Sequence, residues 1–512
     1  MTPADPILVT NAVVVTPERS SRERCEILVR DGSIVSIEPA GATDAQGVRV
    51  IDAAGGIVLA GLTDGHIHSH ELYMRGRVWG LPLEPYILRI SPRFTPEERP
   101  TEQEVYDRTL AAAVDLMLGG VTNAVDDVEH PAFEDRYVDA VVQAYEDSGL
   151  RAWVSILTED RGWIESIPFM KDLLPAELQP LAGASGALTG NRQAQLDLYR
   201  RSIERWQSRS GRVGVLVSPS APQRCDPDFI QELFALAGTY DVPFHVHVQE
   251  SLAQAASGPL FYGKSMVQYI AGLGVLQPRT MIAHGIWLDD EDIGTIAAAG
   301  ATVVHNPASN LKLGSGVARV RDLLDAGVNV ALGCDGYTCN DAQDIFDAMK
   351  LAASLSCIAN EEPEHWLTPA EALRMGTVNG ALGSGRPALG RLEVGAPADL
   401  VVLDPLAPAF VPLGDPLGQL VYAGRRGDVR TVIVGGRVLV EERRVPHIDV
   451  PALYGRVHEA SERIWRAAQP SLAENAELLP YFLEALRRCR DLLPAGVYRH
   501  VPDGREFVAR RV

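Results

Sequence analysis

No stretch of this chain approaches the run of about 18 apolar residues that a membrane-spanning helix needs. A helical membrane protein is therefore not expected. The opening text "MTPADPILVTNAVVVTPERS" has no basic region ahead of an unbroken apolar core, and Asp5 sits early, so a signal peptide is not expected either. Cysteine is sparse. The six present (Cys25, Cys225, Cys334, Cys339, Cys357 and Cys489) form no CxxC pair, which suits free thiols in a reducing compartment and excludes a disulfide framework. Excess positive charge is missing too: Lys+Arg 47 against Asp+Glu 67 leaves −20. That balance argues against nucleic acid or an anionic membrane as the main partner. The expected location is the cytoplasm. With 46% hydrophobic and 22% charged residues the composition is that of an ordinary enzyme. At 512 residues two or more domains are expected, although an α/β barrel can absorb about 250 as one.

Two rhythms run through the text. From Ile7 to about Val58 it reads as short strands broken by turns, with Asp31-Gly32 marking a hairpin inside "VRDGSIVSI". The same texture returns at "ADLVVLDP" and "VRTVIVGGRVLVEERRV", where Gly435-Gly436 marks another hairpin. Both β-rich ends are expected to join in one small sheet or sandwich, formed by 1–58 and 392–446. Between them, from 59 to 391, short apolar strands alternate with amphipathic helical stretches. Eight strands can be traced, ending in "GHIH", "AVDD", "ILTED", "VLVSPSAP", "HVHVQES", "IAHG", "VVHN" and "LGCDG". Eight strand–helix repeats predict a (β/α)₈ TIM barrel, an α/β fold whose active site lies at the C-terminal strand ends. The connection 161–190 is long enough for a lid or an inert insertion. The tail 447–512 reads as helices that pack on the outside or make an oligomer contact.

The strand ends carry the chemistry. Residues i and i+2 of a strand face the same side, so His66 and His68 aim together into the barrel mouth. His245 and His247 repeat the geometry on the fifth strand, with Glu250 just beyond. The sixth strand ends in His284 and the eighth in Asp335. Neutral imidazoles with one carboxylate make a set that suits Zn²⁺ or Fe²⁺ and leaves room for a water. One such residue at a strand end is usually a turn former. Six of them (His66, His68, His247, Glu250, His284, Asp335) at the ends of one barrel point to a metal site.

The motifs "GLTDGHIHSH", "HVHVQES", "AHGIWLDDEDI", "VVHNPASNLKLGSG", "GCDG" and "LGRLEVGAPADLVVLD" resemble the amidohydrolase superfamily. Within it they are similar to the mononuclear aminohydrolases grouped with triazine hydrolase, cytosine deaminase and S-adenosylhomocysteine deaminase. The resemblance covers about residues 7 to 445. It implies that His66, His68, His247 and Asp335 hold the metal, that Glu250 shuttles protons, and that His284 orients or activates the water or polarises the substrate. Binuclear relatives bridge two metals with a lysine at the end of the fourth strand. Here that loop reads Ser220-Ala221-Pro222-Gln223-Arg224, so one metal is favoured. Several family deaminases place a histidine there, and this chain does not.

The implied reaction is attack of a metal-activated water on a carbon bearing nitrogen. Asp335 helps deprotonate the water, and Glu250 protonates the ring nitrogen and then the departing amine. The expected function is thus a metal-dependent aminohydrolase acting on a small, polar N-heterocycle, with one divalent ion per chain, zinc before iron. Hydrolysis of an amide, urea or other C–X bond is the second reading, and a non-catalytic scaffold the third. A homo-oligomer is expected. Gln223, Arg224, Asn306, Asn310, Trp79 and Tyr337 lie on mouth loops and are candidate substrate contacts. His70 reads as a helix-start residue, His245 as a core histidine one layer deeper, and His305 as structural.

Overall fold

The computed structural model describes residues 5–184, 191–207, 211–360 and 362–492. The chain begins with β1 (Ile7–Thr16), β2 (Arg19–Arg30) and β3 (Ser33–Pro39), followed by β4 (Arg49–Asp52) and β5 (Ile57–Ala60). The Asp31-Gly32 turn between β2 and β3 has positive φ at both residues, 49° and 77°, which is the backbone a two-residue hairpin requires. β1 divides its pairing: Ile7–Thr10 run parallel to β4, and Val13–Val14 run parallel to β5. β5 then pairs antiparallel with β15 (Leu400–Leu403), which continues through β16 (Val429–Val434) to β17 (Arg437–Val440). The two ends of the chain therefore share one eight-stranded, hydrogen-bonded sheet. Val9, Ile27, Val58 and Val402 lie in its own apolar core.

The middle of the chain forms the barrel. Its strands are β6 (Leu62–His68), β7 (Val121–Asp126), β8 (Arg151–Val154), β9 (Val213–Val215), β10 (Phe244–Val248), β11 (Thr280–His284), β12 (Thr302–His305), and β13 (Asn329–Leu332) continued by β14 (Asp335–Gly336). Every pairing among them is parallel. Two contacts close the ring. Val217 bridges to Phe244, and Asp335 and Gly336 pair with Ile67 and His68. The last contact sets the eighth strand end beside the first, which brings Asp335 to the histidine pair. The return helices are framed by local signals. Thr101 caps Glu102–Leu118 in a capping box with Glu104, and Gly149 ends Asp135–Ser148 in the left-handed conformation. Among the described residues no helix is long and apolar enough to cross a membrane.

One buried carboxylate fastens the terminal sheet to the barrel. Asp399 receives Arg151 Nε at 2.8 Å and Nη2 at 3.2 Å, and also the backbone N–H of Gly435 at 2.7 Å. Asp399→Ala is expected to destabilise the protein by about 3–5 kcal/mol, because it strands a largely buried guanidinium. Urea unfolding of the two proteins measures this, and equal midpoints would contradict the fastening role.

The C-terminal extension does more than lie on the outside. Helices Val450–Asn475 and Leu479–Leu492 pack against the elements that frame the barrel mouth. Asn475 Nδ2 donates to the carbonyls of Leu88 and Ser91, both at 3.2 Å, at the end of the helix Leu83–Ile90. Leu486 and Cys489 pack on Ala253 and Ala256, just past Glu250. The connection after β8 carries short helices, Trp163–Ser166, Met170–Leu173 and Gln179–Ala184, and Trp163 meets Phe482 edge-on at 5.7 Å. Its residues 185–190, and 493–512 of the tail, lie outside the described residues.

Candidate active site

The strand ends bring the histidines into one cluster. The rings of His66 and His68 stand 4.6 Å apart at 82°, and His247 is 4.8 Å from His66 and 5.4 Å from His68. Asp335 Oδ1 lies 3.4 Å from Nε2 of both His66 and His68, and its Oδ2 is 3.7 Å from His284 Nε2. Ligand atoms of His66, His68 and His247 all fall within 4.8 Å of one another, as do those of His66, His284 and Asp335. Gly336, directly after Asp335, leaves room for the Glu71 carboxylate: a Cβ there would sit 2.0 Å from Glu71 Oε2.

Hydrogen bonds behind the cluster fix the tautomers. His68 Nδ1 donates to the carbonyl of Asp127 at 2.6 Å, and His247 Nδ1 donates to that of Ser220 at 2.7 Å. A carbonyl only accepts, so each ring carries a proton on Nδ1, and Nε2 is the nitrogen left to bind an ion once it is unprotonated. His66 is fully buried, and neither ring nitrogen makes a hydrogen bond. Burial, the largest influence, holds the pKa of His66 and His247 well below the ordinary value, so these rings are neutral. Burial also opposes charge on His68, yet the carboxylates of Asp335, Glu71 and Asp127 outweigh it and push that pKa up to about 9. The carboxylates around His68 thus favour positive charge beside that ring. Burial would raise Asp335, but a contact from His66 and the charge of His284 hold it well below the usual carboxylate range. Lone pairs converging on one buried, cation-favouring point fit a divalent ion, and they would be costly without one.

Glu250 and His284 face the same space from the other side. Glu250 Oε2 lies 3.7 Å from His284 Nε2, and the carboxyl is pushed up to about 7 by burial, with His284 opposing. His284 Nδ1 is 3.0 Å from Asn310 Oδ1. The backbone pays for this convergence. Gln249, His284 and Asp335 adopt φ of 51°, 74° and 66°, left-handed values that side-chain-bearing residues avoid and that cluster at functional sites.

A cleft of about 660 Å³, part of it open solvent, lies over the cluster, with His68, His247, His284, Asp335 and Glu250 on its wall. Arg224 is also on that wall, anchored by Ser220 Oγ at 3.2 Å and Glu159 at 3.7 Å. Other candidate contacts lie elsewhere. Trp79 points outward with 74% of its surface exposed, while Tyr337 is fully buried beneath Arg75, its Oη 3.5 Å from the Ala112 carbonyl. Neither lines the cleft. Asn306 and Gln223 are buried behind the wall, Asn306 Nδ2 lying 3.4 Å from His284 Nδ1. Asn310 likewise acts on His284 from behind. His245 sits under the cluster, stacked on His66 at 4.8 Å, and His305 is buried away from the cleft. His70 stands in the first turn of the short helix Ser69–Met74, as the helix-start reading expects, and it also lines the cleft, its Nδ1 accepting the Glu129 N–H at 3.2 Å.

Sequence reasoning passed over Asp127, whose Oδ2 lies 3.7 Å from His245 Nδ1 and 3.8 Å from His247 Nδ1. The signal was available: "NAVDD" ends the second barrel strand on two acids. It also passed over Ser309, whose Oγ donates to Asp335 Oδ2.

The chain is 31% identical over 460 residues to the 5-methylthioadenosine/S-adenosylhomocysteine deaminase of Nitratidesulfovibrio vulgaris, covering 88% of this chain and 96% of that one. Among solved structures it is similar to an adenosine deaminase from Xanthomonas campestris with bound zinc (TM-score 0.77, 25% identity, 90% of this chain and 98% of that one). It is also similar to the atrazine chlorohydrolase from Arthrobacter aurescens complexed with zinc (TM-score 0.80, 26% identity, 89% and 100%). Residues 57–439 match the amidohydrolase family profile, and the chain belongs to that family.

Proposed function

We propose that this protein is a metal-dependent aminohydrolase that replaces an amino group on a small nitrogen heterocycle with oxygen and releases ammonia. The observation that carries the reading is the convergence of His66, His68, His247 and Asp335 on one buried point, with Glu250 and His284 on its open side. Those four residues would hold one divalent ion, zinc before iron, and no lysine stands at the end of β9 to bridge a second. The ion supplies Lewis acidity, which makes a water nucleophilic near neutral pH. The protein groups do the rest. Asp335, fixed by Ser309, accepts a proton from the attacking water. Glu250 carries protons to the ring nitrogen and to the departing amine. His284, held by Asn310, presents Nε2 to the reacting oxygen, and Arg224 offers donors to the ring from the cleft wall.

The bounds 1–58 with 392–446 for a small β domain, 59–391 for the barrel and 447–512 for the extension suit this reading, as does a homo-oligomer. Expulsion of a leaving group other than ammonia is the second reading, favoured by the likeness to a chlorohydrolase. A scaffold would have no need of the intact ligand set.

Metal-replete protein should contain one equivalent of ion per chain by elemental analysis. It should release ammonia from at least one member of a panel of amino-substituted purines, pyrimidines and triazines. Chloride release from the chloro analogues without any ammonia would favour the second reading. Neither product would defeat both.

A further inference from the structure

Beside the metal cluster stand two polar side chains that the proposed chemistry does not use. The catalytic cleft continues into a second cavity of about 1210 Å³, part of it open solvent, and His70, Ile90, Ser91 and Glu129 line both. His70 follows β6 and Glu129 follows β7, so the parallel pairing of those strands sets the two residues side by side in the throat. The Glu129 backbone N–H donates to His70 Nδ1 at 3.2 Å. A backbone N–H can only donate, so Nδ1 holds the lone pair and the ring's proton sits on Nε2. Among the described residues that Nε2 has no hydrogen-bond partner, and neither has the Glu129 carboxylate. Both side chains are half-buried, and none of the three atoms is sealed from solvent. Burial raises the carboxyl's pKa, and Arg224, Glu71, His68 and Arg108 act on it from further off. No described cation pairs with it: Arg224 is held by Ser220 and Glu159, and Arg108 bonds the His70 carbonyl.

The throat therefore presents one N–H donor next to one carboxylate acceptor. The His70 ring lies 5.4 Å from that of His68, so a heterocycle with one edge at the metal cluster brings another edge to this pair. A donor beside an acceptor is matched by the reverse pattern, a ring nitrogen beside an N–H group, as in the two-point reading of adenine by an amide side chain. A carboxylate that gives up water on binding needs such a donor in exchange. We propose that His70 and Glu129 select the substrate by reading a second amino–imine edge of the heterocycle. His70 Nε2–H donates to a ring nitrogen, and the Glu129 carboxylate accepts from the exocyclic amine next to it. The preferred substrate then carries two amino groups, one hydrolysed at the metal cluster and one recognised in the throat. This rests on the aminohydrolase reading for the reacting end; the recognised edge stands on the pair itself.

Two matched pairs of probes test it: 2,4-diamino-1,3,5-triazine with 2-amino-4-methyl-1,3,5-triazine, and 2,6-diaminopurine with 2-methyladenine. Within each pair a methyl group of nearly the same size replaces the second amine, and all four are used where they are uncharged. Affinity for metal-replete protein is read by calorimetry, or as KM for a compound that is turned over. The wild type should bind the diamino member of at least one pair at least about tenfold more tightly, because hydrogen bonds to charged partners are the stronger ones. Glu129→Leu should bring that ratio close to one, and Glu129→Gln, which keeps a neutral acceptor, should retain part of it. His70→Phe should instead weaken both members, since both offer the ring nitrogen. Circular dichroism and metal content report on folding. Should Glu129→Leu not fold, Glu129→Gln and His70→Phe carry the test. Equal affinity within both pairs, no binding of any probe, or a preference untouched in the Glu129 variants would overturn the proposal. So would wild-type affinities in His70→Phe. Ammonia release reports separately on the reaction. A Glu129-dependent preference with no ammonia from any probe defeats the aminohydrolase reading and leaves the pair. Ammonia from both members with equal KM defeats the pair alone.

Discussion

Glu250→Gln is expected to lower kcat by at least about 10³-fold while the protein keeps its full equivalent of metal. Glu250 lies three residues past His247, beyond the left-handed turn at Gln249, so its carboxyl leaves the inward face of β10 and returns over the cluster. There it meets His284 Nε2 at 3.7 Å but belongs to none of the tight ligand groups. Gln254 anchors the turn, accepting the Glu250 N–H at 3.1 Å, and that bond survives the substitution. Glutamine keeps the shape and some hydrogen bonding; it cannot pass a proton. A positioned acid/base is typically worth about 10²–10⁴ in rate, and one serving two transfers belongs at the upper end. Steady-state kinetics beside elemental analysis decide the matter. Near-normal turnover, or loss of metal together with activity, would show that Glu250 does something else.

The clustering of His66, His68, His247 and Asp335 was legible because strand geometry is local. A two-residue period puts His66 with His68 on one face, and eight short apolar runs ending in polar clusters suffice to predict a closed parallel sheet. Nothing comparable marks depth. Tyr337 follows a glycine and Trp79 precedes one on mouth loops, and neither period nor composition distinguishes a side chain that turns under Arg75 from one that turns to solvent. The hydrogen bonds behind the ligands were hidden for another reason. His68 and His247 donate to the carbonyls of Asp127 and Ser220, and a carbonyl is present whatever residue supplies it.

His247→Ala is expected to lose the metal and the activity together, which sets it apart from Glu250→Gln. His247 contributes the third imidazole of the group His66, His68 and His247, and its tautomer is fixed by the Ser220 carbonyl at 2.7 Å. Alanine removes that lone pair and leaves a gap between two rings that already stand 4.6 Å apart. A set of two imidazoles and a carboxylate still attracts cations, but with fewer bonds and a looser pocket. Metal content should fall below about a tenth of an equivalent after dialysis, and kcat by at least about 10³-fold, since the ion's acidification of water is lost with it. Stability gives an independent readout. An ion held only by the folded state stabilises it by about 4 kcal/mol when free metal is 1,000 times Kd. A chelator should therefore lower the Tm of the wild type and of Glu250→Gln, and leave that of His247→Ala where it already is. Were His247→Ala to retain a full equivalent of ion and a chelator-sensitive Tm, His247 would not be a ligand, and the tight group formed by His66, His284 and Asp335 would be the one that holds the metal.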